Sequence, residues 1–234
     1  MKILLIAATH GNELLGIKLY ERLLKKRSPL LEKIDFVIGN PKAYAKKLRY
    51  TDKDLNRSYE ASGTEYEVLR AREIKEYIRI TSPDIVLDMH TTNCVQPNCL
   101  IVHNLDGDIK KKFLRASHID IVLQAQAMGD IVGVGDNVIG YEVPNNAVTP
   151  MLLDAIAQDL QNFVSHRESH PDKKFYRMLG KIYKQDVSQQ QAKSFVNFQK
   201  HDLGFVPIMT GNNSYKKQTD YLGFKASETE EIKV

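Results

Sequence analysis

Short apolar runs alternate with amphipathic segments through the first 165 residues. The run KILLIAA at 2–8 predicts a buried strand, since every residue after Lys2 is apolar. Residues 14–27 then place leucines on one face at helical spacing and end in lysine and arginine, as amphipathic helices often do. A strand that leads into a helix is typical of α/β proteins.

The same patterns predict the elements that follow. Strands are expected at 34–39, 84–90, 98–103, 119–124 and 139–143, and helices at 64–80, 108–116 and 151–165. Residues 44–63 are polar and have no period for burial, so we expect a long irregular segment, which in a compact domain is usually functional. After residue 166 the pattern predicts short strands, such as FYRMLGKIYK, and a frayed tail, SETEEIKV.

Composition excludes several classes of protein. The chain has 234 residues, of which 42% are hydrophobic, enough for a sizeable core. Its 33 basic and 29 acidic residues give a net charge of +4, and the run KKK at 110–112 fits a solvated helix face, so nucleic acid is not an expected partner. Two cysteines, Cys94 and Cys99, are too few for a disulfide scaffold and lack the CxxC spacing of a thiolate zinc site.

The opening apolar run also bears on location. It is far shorter than the ~20 residues that cross a bilayer, and no small-residue cleavage pattern follows it. We therefore expect no membrane partner and a cytoplasmic location.

Polar side chains follow two of the predicted strands. His10 and Glu13 come directly after the first strand, and His90 ends the strand at 84–90. Open α/β folds place ligands at the carboxyl ends of strands, and two histidines with one glutamate form a standard zinc hydrolase set. An HxxE pair also arises by chance, as a surface histidine beside a helix-start glutamate. His103 is a rival ligand, although it fits a hydrogen-bonded core residue equally well.

Five motifs together resemble the aspartoacylase and succinylglutamate desuccinylase family, a group of zinc amidohydrolases with a carboxypeptidase-like fold. They are ATHGNE at 8–13, GNPKA at 39–43, RYTDKDLNR at 49–57, DMHTT at 88–92 and GYEV at 140–143. The resemblance implies an α/β fold in which a mixed sheet carries helices on both faces. It also implies a zinc amidohydrolase catalytic domain at 1–165 and a small β-rich C-terminal domain at 166–234.

The resemblance assigns roles by position. His10, Glu13 and His90 would be the ligands of one Zn²⁺ per chain. Glu142 would be the general base, and Arg49 would polarise the scissile carbonyl. The residues that would contact the substrate are Asn56, Arg57 and Tyr215.

Several of these residues also have purely structural interpretations. Glu142 could be an edge glutamate beside a proline, and Tyr215 fits an exposed loop equally well. The segment 49–57 could be a solvated charged loop, but DKDLNR is hard to explain that way. Asp52 and Asp54 are expected to orient the neighbouring arginines, and Asp88 to support His90.

The chain departs from the resemblance in two ways. Aspartoacylases carry an arginine about ten residues before the catalytic glutamate, where it binds the acidic side chain of the substrate. Here the segment 127–143, AMGDIVGVGDNVIGYEV, contains no arginine or lysine. The chain is also short after Glu142, which predicts a reduced C-terminal domain. A specificity other than N-acetylaspartate is therefore expected.

The resulting functional prediction is a zinc-dependent hydrolase that cleaves the amide bond of a small-molecule N-acyl amino acid through a zinc-activated water. Two alternatives are a metallocarboxypeptidase that acts on a short peptide and a non-catalytic binding protein that retains the fold. The sequence leaves open whether copies of the chain form a homo-oligomer.

Overall fold

A mixed sheet of ten strands runs through the described residues, which are 1–126, 128–212, 216–217 and 219–234 of a computed structural model. The strands are β1 (Ile3–Ala7), β2 (Ile34–Ile38), β3 (Ile85–Thr92), β4 (Cys99–Val102), β5 (Ile121–Gln124), β6 (Val138–Pro144), β7 (Asp172–Tyr183), β8 (Val206–Ile208), β9 (Tyr221–Ala226) and β10 (Glu230–Lys233). The helices are α1 (Leu15–Lys25), α2 (Pro41–Lys46), α3 (Tyr66–Thr81), α4 (Asp108–Ala116), α5 (Pro150–Val164) and α6 (Gln189–Ser194).

The strand order is β2-β1-β3-β6-β4-β5-β7-β9-β8, and β10 pairs with β7. Strands β2, β1, β3 and β6 are parallel neighbours, whereas β4 is antiparallel to β6 and parallel to β5. Three parallel strands, β1, β3 and β6, therefore end side by side at one edge of the sheet.

Helices cover both faces of the sheet because the central strands are apolar on both sides. On β1, Ile3 and Leu5 pack with α1, α4 and α5, whereas Leu4 and Ile6 pack with α3 and the segment around Leu55. The predicted α/β fold with helices on both faces is confirmed. Among the described residues, no helix is both long and apolar enough to cross a membrane; the cytoplasmic location stays a prediction.

The C-terminal region is built around β7. The first half of this strand pairs with β5 and β10, and its second half pairs with β9. The expectation that the tail is frayed was wrong, since Glu230–Lys233 form four antiparallel pairs with β7 and Ile232 packs against the main core. Because β7 pairs with β5, one sheet continues from residues 1–165 into residues 166–234. The division into two domains at this point stays a prediction.

The polar segment 44–63 is irregular apart from the end of α2 and a 3₁₀ turn at Leu55–Arg57. A single buried carboxylate, that of Glu67 on α3, holds its central part. Glu67 accepts hydrogen bonds from the Thr51 backbone N–H and hydroxyl, both at 2.7 Å, and from the backbone N–H groups of Asp52 and Lys53 at 3.2 Å. Asn40 donates a further bond at 3.1 Å. Burial raises the pKa of Glu67, but these donors bring it below its ordinary value.

Replacement of Glu67 tests whether this carboxylate orders the segment. In Glu67→Gln an amide NH₂ would face N–H donors, so we expect a loss of about 1–3 kcal/mol in the free energy of unfolding. Urea unfolding followed by circular dichroism measures the change. Glu73→Gln, on the exposed face of the same helix, is the matched control and should change stability by less than ~0.5 kcal/mol. Equal effects in both variants would contradict this role of Glu67.

Candidate active site

The carboxyl ends of β1, β3 and β6 bring the predicted site residues together. His10 follows β1, and His90 lies in β3 directly opposite Glu142 in β6. The three side chains line one cavity. In the sequence, the only sign of this convergence is that the residues lie at the ends of predicted strands. This edge is where open α/β sheets bind ligands.

The chain turns sharply between β1 and His10. Ala8 has a φ of +53°, a conformation that is uncommon for alanine and that persists only where the surroundings hold it. Asn40 N–H donates to the Ala8 carbonyl at 3.0 Å, which fixes the turn. Gly11 then lies against α2, where a Cβ atom would come within 2.1 Å of the Ala43 carbonyl carbon. Glycine is required at position 11 for this close approach.

Glu13 joins the two histidines of the site. Its Oε1 lies 2.8 Å from His10 Nδ1, and its Oε2 lies 3.0 Å from His90 Nδ1. All three side chains are buried, and their potential ligand atoms lie within 4.8 Å of one another. Two imidazoles and a carboxylate that converge in this way fit a single divalent cation of the zinc type.

Two further carboxylates lie behind the histidines. Asp54 accepts from His10 Nε2 at 3.0 Å, and Asp88 accepts from His90 Nε2 at 2.5 Å. Asp88 also accepts a bond of 2.6 Å from the Thr9 hydroxyl. Such carboxylates fix the tautomer and orientation of metal-binding histidines. Support of His90 by Asp88 was predicted, whereas the contact between Asp54 and His10 was not.

The electrostatics of the cluster also fit a cation. Burial lowers the pKa of His10 and of His90, but the facing carboxylates reverse this, and both pKa values lie above the ordinary histidine value. Burial raises the pKa of Glu13, but the two histidines bring it well below its usual range. Without a cation, the carboxylates thus hold protons on the imidazoles. A metal ion would replace those protons, as metal binding to histidine requires.

Arg49 and Arg57 line the same cavity as the cluster, together with Asn56. Arg49 donates to Glu13 at 3.3 Å and to Asp54 at 3.1 Å. Asp54 therefore orients Arg49 as predicted, whereas Asp52 accepts a bond of 3.4 Å from the Tyr66 backbone at the start of α3. Tyr215 lies outside the described residues.

Asn56 and Arg57 are held by backbone contacts. The Asn56 side-chain oxygen accepts from the Ile131 backbone N–H at 3.1 Å, and Arg57 Nη1 donates to the Asn56 carbonyl at 2.6 Å. The second contact bends the guanidinium back over its own turn, at the cavity wall.

The pKa of Glu142 is shifted in the opposite direction to that of Glu13. Burial in the cleft and the charge of Glu13 raise the pKa of Glu142 to about 7. A carboxyl group in this range can both accept and donate a proton near neutral pH. Glu142 is only partly enclosed and lines the cavity, so its carboxyl group can meet a bound molecule.

His103 is not part of the cluster. In the part of the chain that the structure describes, His10, Glu13 and His90 are the one group of side chains close enough to hold a metal ion. His103 Nδ1 is buried and has no hydrogen-bond partner among the described residues. The interpretation of His103 as a rival ligand was wrong, because β4 runs antiparallel to β6 and carries His103 away from the edge where the three ligands meet.

The cavity is lined by the polar side chains of the cluster and its neighbours and, elsewhere in its wall, by apolar side chains. The apolar side chains of the wall are Ile101, Ala125, Met128, Ile131, Val132, Met178, Met209 and Phe224. One carboxylate, Asp130, lies among them and was not singled out by the sequence.

Comparison with known proteins gives one matching family. The pattern of the succinylglutamate desuccinylase/aspartoacylase catalytic domain matches residues 1–165. A probable aspartoacylase of Prochlorococcus marinus (strain MIT 9515) is 34% identical over 126 residues, which are 50% of this chain and 41% of that protein. An N-acyl-aromatic-L-amino acid amidohydrolase (carboxylate-forming) of Xenopus laevis is 38% identical over 104 residues, 39% of this chain and 34% of that protein. The chain thus matches less than half the length of these curated relatives.

Solved structures agree with the fold over the whole chain. Murine aminoacylase 3 superposes with a TM-score of 0.74 at 21% identity, over 100% of this chain and 97% of that one. The succinylglutamate desuccinylase from Chromobacterium violaceum superposes with a TM-score of 0.73 at 16% identity, over 100% and 85% of the two chains. At these identities the likeness shows the fold alone.

Replacement of Asp88 tests the arrangement behind the candidate metal-binding cluster. In Asp88→Asn the amide can no longer stabilise His90 as a carboxylate does, so we expect metal affinity to fall about 10–100-fold. Competition with a chromogenic chelator measures the affinity. The control is Asp84→Asn at the opposite, exposed end of the same strand, which should bind metal as the unchanged protein does. Unaltered affinity in Asp88→Asn would remove Asp88 from the site.

Proposed function

The chain belongs to the succinylglutamate desuccinylase/aspartoacylase family, and from that premise we propose that it is a zinc-dependent hydrolase of N-acyl amino acids. Water would add to the acyl carbon, the C–N bond would break, and a carboxylate and a free amino acid would be released. The observation that carries this proposal is the buried cluster of His10, Glu13 and His90 at the floor of a cavity that Glu142 also lines.

His10, Glu13 and His90 would hold one Zn²⁺, with Asp54 and Asp88 behind the two imidazoles. A bound zinc ion supplies Lewis acidity and lowers the pKa of a water to about 7. The carboxylates behind the histidines would keep each ring in the orientation that presents Nδ1 to the cluster.

Glu142 would move the proton of the reaction. Its carboxylate oxygen would accept a proton from the attacking water and later donate it to the leaving amine nitrogen. The pKa of about 7 supports both roles, since neither protonation state is strongly disfavoured near neutral pH.

The arginines would bind the two negative regions of the reacting substrate. Arg49, which donates to Glu13 and Asp54 at the edge of the cluster, would stabilise the charge that develops on the scissile carbonyl oxygen. Arg57 and Asn56 would bind the α-carboxylate, for which a planar guanidinium is well suited. Tyr215 is proposed as a substrate contact from its position in the sequence alone.

Substitution of Glu142 tests the proposed proton transfer. Glu142→Gln keeps the size of the side chain and leaves the three metal ligands intact, so zinc content should be unchanged. We expect kcat to fall at least ~100-fold, because general acid–base catalysis contributes about 10²–10⁴. Metal analysis and hydrolysis of formyl, acetyl and succinyl amino acids measure the two properties. Full activity in this variant would exclude Glu142 as the base.

The same screen tests the substrate class. Short peptides are included beside the N-acyl amino acids, and activity on peptides alone would favour a metallocarboxypeptidase. Protein that binds no zinc, and that zinc does not activate on any of these compounds, would contradict the enzyme proposal and favour a binding protein.

Replacement of Arg57 tests binding of the α-carboxylate. Lysine keeps the charge of Arg57 but cannot form a bidentate pair, so Arg57→Lys should lower kcat/KM about 10–100-fold, mainly through KM. Arg72→Lys on the exposed face of α3 is the control. A substrate whose α-carboxylate is replaced by an amide should show the same fall in kcat/KM with the unchanged enzyme. With Arg57→Lys the same replacement should cause little further fall, because the paired contact is already lost. If the two falls in kcat/KM simply multiply, the proposed pairing is contradicted.

A further inference from the structure

Asp130 is a buried carboxylate in the cavity wall that has no role in the reaction described above. Its side chain is only 8% exposed, and it lines the cavity beside Ile131 and Val132. Its Oδ1 has no hydrogen-bond partner among the described residues. The backbone N–H groups of Asp130 itself and of Gly133 satisfy the carboxylate only in part, and a ligand that donates a hydrogen bond or carries a positive charge would stabilise it further.

The position of Asp130 is fixed by the residues on either side of it. Tyr59 N–H donates to the Gly129 carbonyl at 3.0 Å, and the Ile131 N–H donates to the Asn56 side chain at 3.1 Å. Gly129 has a φ of +72°, a conformation that glycine adopts without strain. The segment that carries Asp130 is thus tied to the turn that carries Asn56 and Arg57.

Burial raises the pKa of Asp130, and the charge of Arg57 and the backbone N–H groups of Asp130 and Gly133 oppose this only in part. Arg57 does not neutralise Asp130 by direct contact, since no ion pair among the described residues involves Asp130. Among the described residues, no cationic side chain thus occupies this carboxylate, which lines the cavity.

We propose that Asp130 determines side-chain specificity by selecting amino acids whose side chain has an aliphatic stem and a cationic, N–H-donating end, as in lysine. This inference rests on the proposed function. With the α-carboxylate on Arg57, the adjoining wall receives the side chain of the same α-carbon. Apolar residues there, such as Met128 and Val132, suit an aliphatic stem, and Asp130 suits its charged end. An acidic side chain would face a like charge at this point.

Steady-state kinetics with three matched substrates test the proposal. They are the Nα-acyl derivatives of L-lysine, L-norleucine and L-glutamate, with the acyl group that the hydrolysis screen identifies. Norleucine has the stem of lysine without its amine. We expect kcat/KM for lysine to exceed that for norleucine by about tenfold or more, and glutamate to be the poorest substrate.

Asp130→Asn should reduce this preference selectively. We expect kcat/KM to fall about tenfold or more for the lysine derivative and to stay within about threefold for the norleucine derivative. Asp136→Asn, an exposed position in the same connection, is the matched control and should leave all three values unchanged. An equal loss of kcat/KM on all three substrates would mean that Asp130 only positions Arg57, and it would overturn the proposal. Unchanged kcat/KM values in Asp130→Asn, or a preference of the unchanged enzyme for the glutamate derivative, would overturn it as well.

A binding measurement separates this inference from the proposed function. Calorimetric titration of the zinc-loaded protein with free L-lysine and L-norleucine requires neither turnover nor knowledge of the acyl group. Tighter binding of lysine that Asp130→Asn abolishes would support the inference even if no N-acyl amino acid is hydrolysed. Hydrolysis without any such difference in binding would support the proposed function and overturn the role of Asp130. Thermal unfolding checks the fold, and Asp130→Asn should unfold at a temperature close to that of the unchanged protein because the amide oxygen can still accept the backbone N–H groups that the carboxylate accepts.

Discussion

The bridge that the Glu13 carboxylate forms between two imidazoles is the contact on which the rest of the site depends. One oxygen meets His10, which follows β1, and the other meets His90, which lies in β3. The contact requires β1 and β3 to lie in parallel register and the chain to turn at Ala8. It also concentrates negative charge in a buried place. That charge is tolerable only with protons or a cation on the imidazoles, so the fold and the chemistry of the cluster are not independent.

A similar dependence links the polar segment to the sheet. Residues 51–53 have no apolar periodicity, yet they are ordered because the buried Glu67 on α3 accepts their N–H groups. Through this segment the helix places Asp54 behind His10 and Arg49 beside Glu13. The arginine therefore reaches the cluster from a loop, whereas the candidate metal ligands come from strand ends. A loop that is held by hydrogen bonds to one carboxylate can present charged groups without a hydrophobic core of its own.

Much of this arrangement could be predicted from the sequence. The contacts that could not be predicted have identifiable physical reasons. Uninterrupted apolar runs located the central strands, and the strand ends singled out His10, Glu13 and His90 because topology brings such ends together. The contacts made by Asp54 and Glu67 depend on how a loop without a periodic pattern folds back on a helix, which local patterns do not encode. The pairing of β10 with β7 was missed because charged residues at an edge give a weak strand pattern.

The cavity combines opposite charges in adjoining places. In the proposed function, Arg49 and Arg57 would meet the negative regions of a substrate, and Asp130 lines the same cavity. A single sign of charge throughout would attract ligands without orienting them, whereas two signs at fixed positions favour one orientation of a molecule that carries both. The hydrogen bond between Asn56 and Ile131 fixes the distance between the two charged regions. If the proposed function holds, specificity would thus depend on the turn that joins the two charged regions.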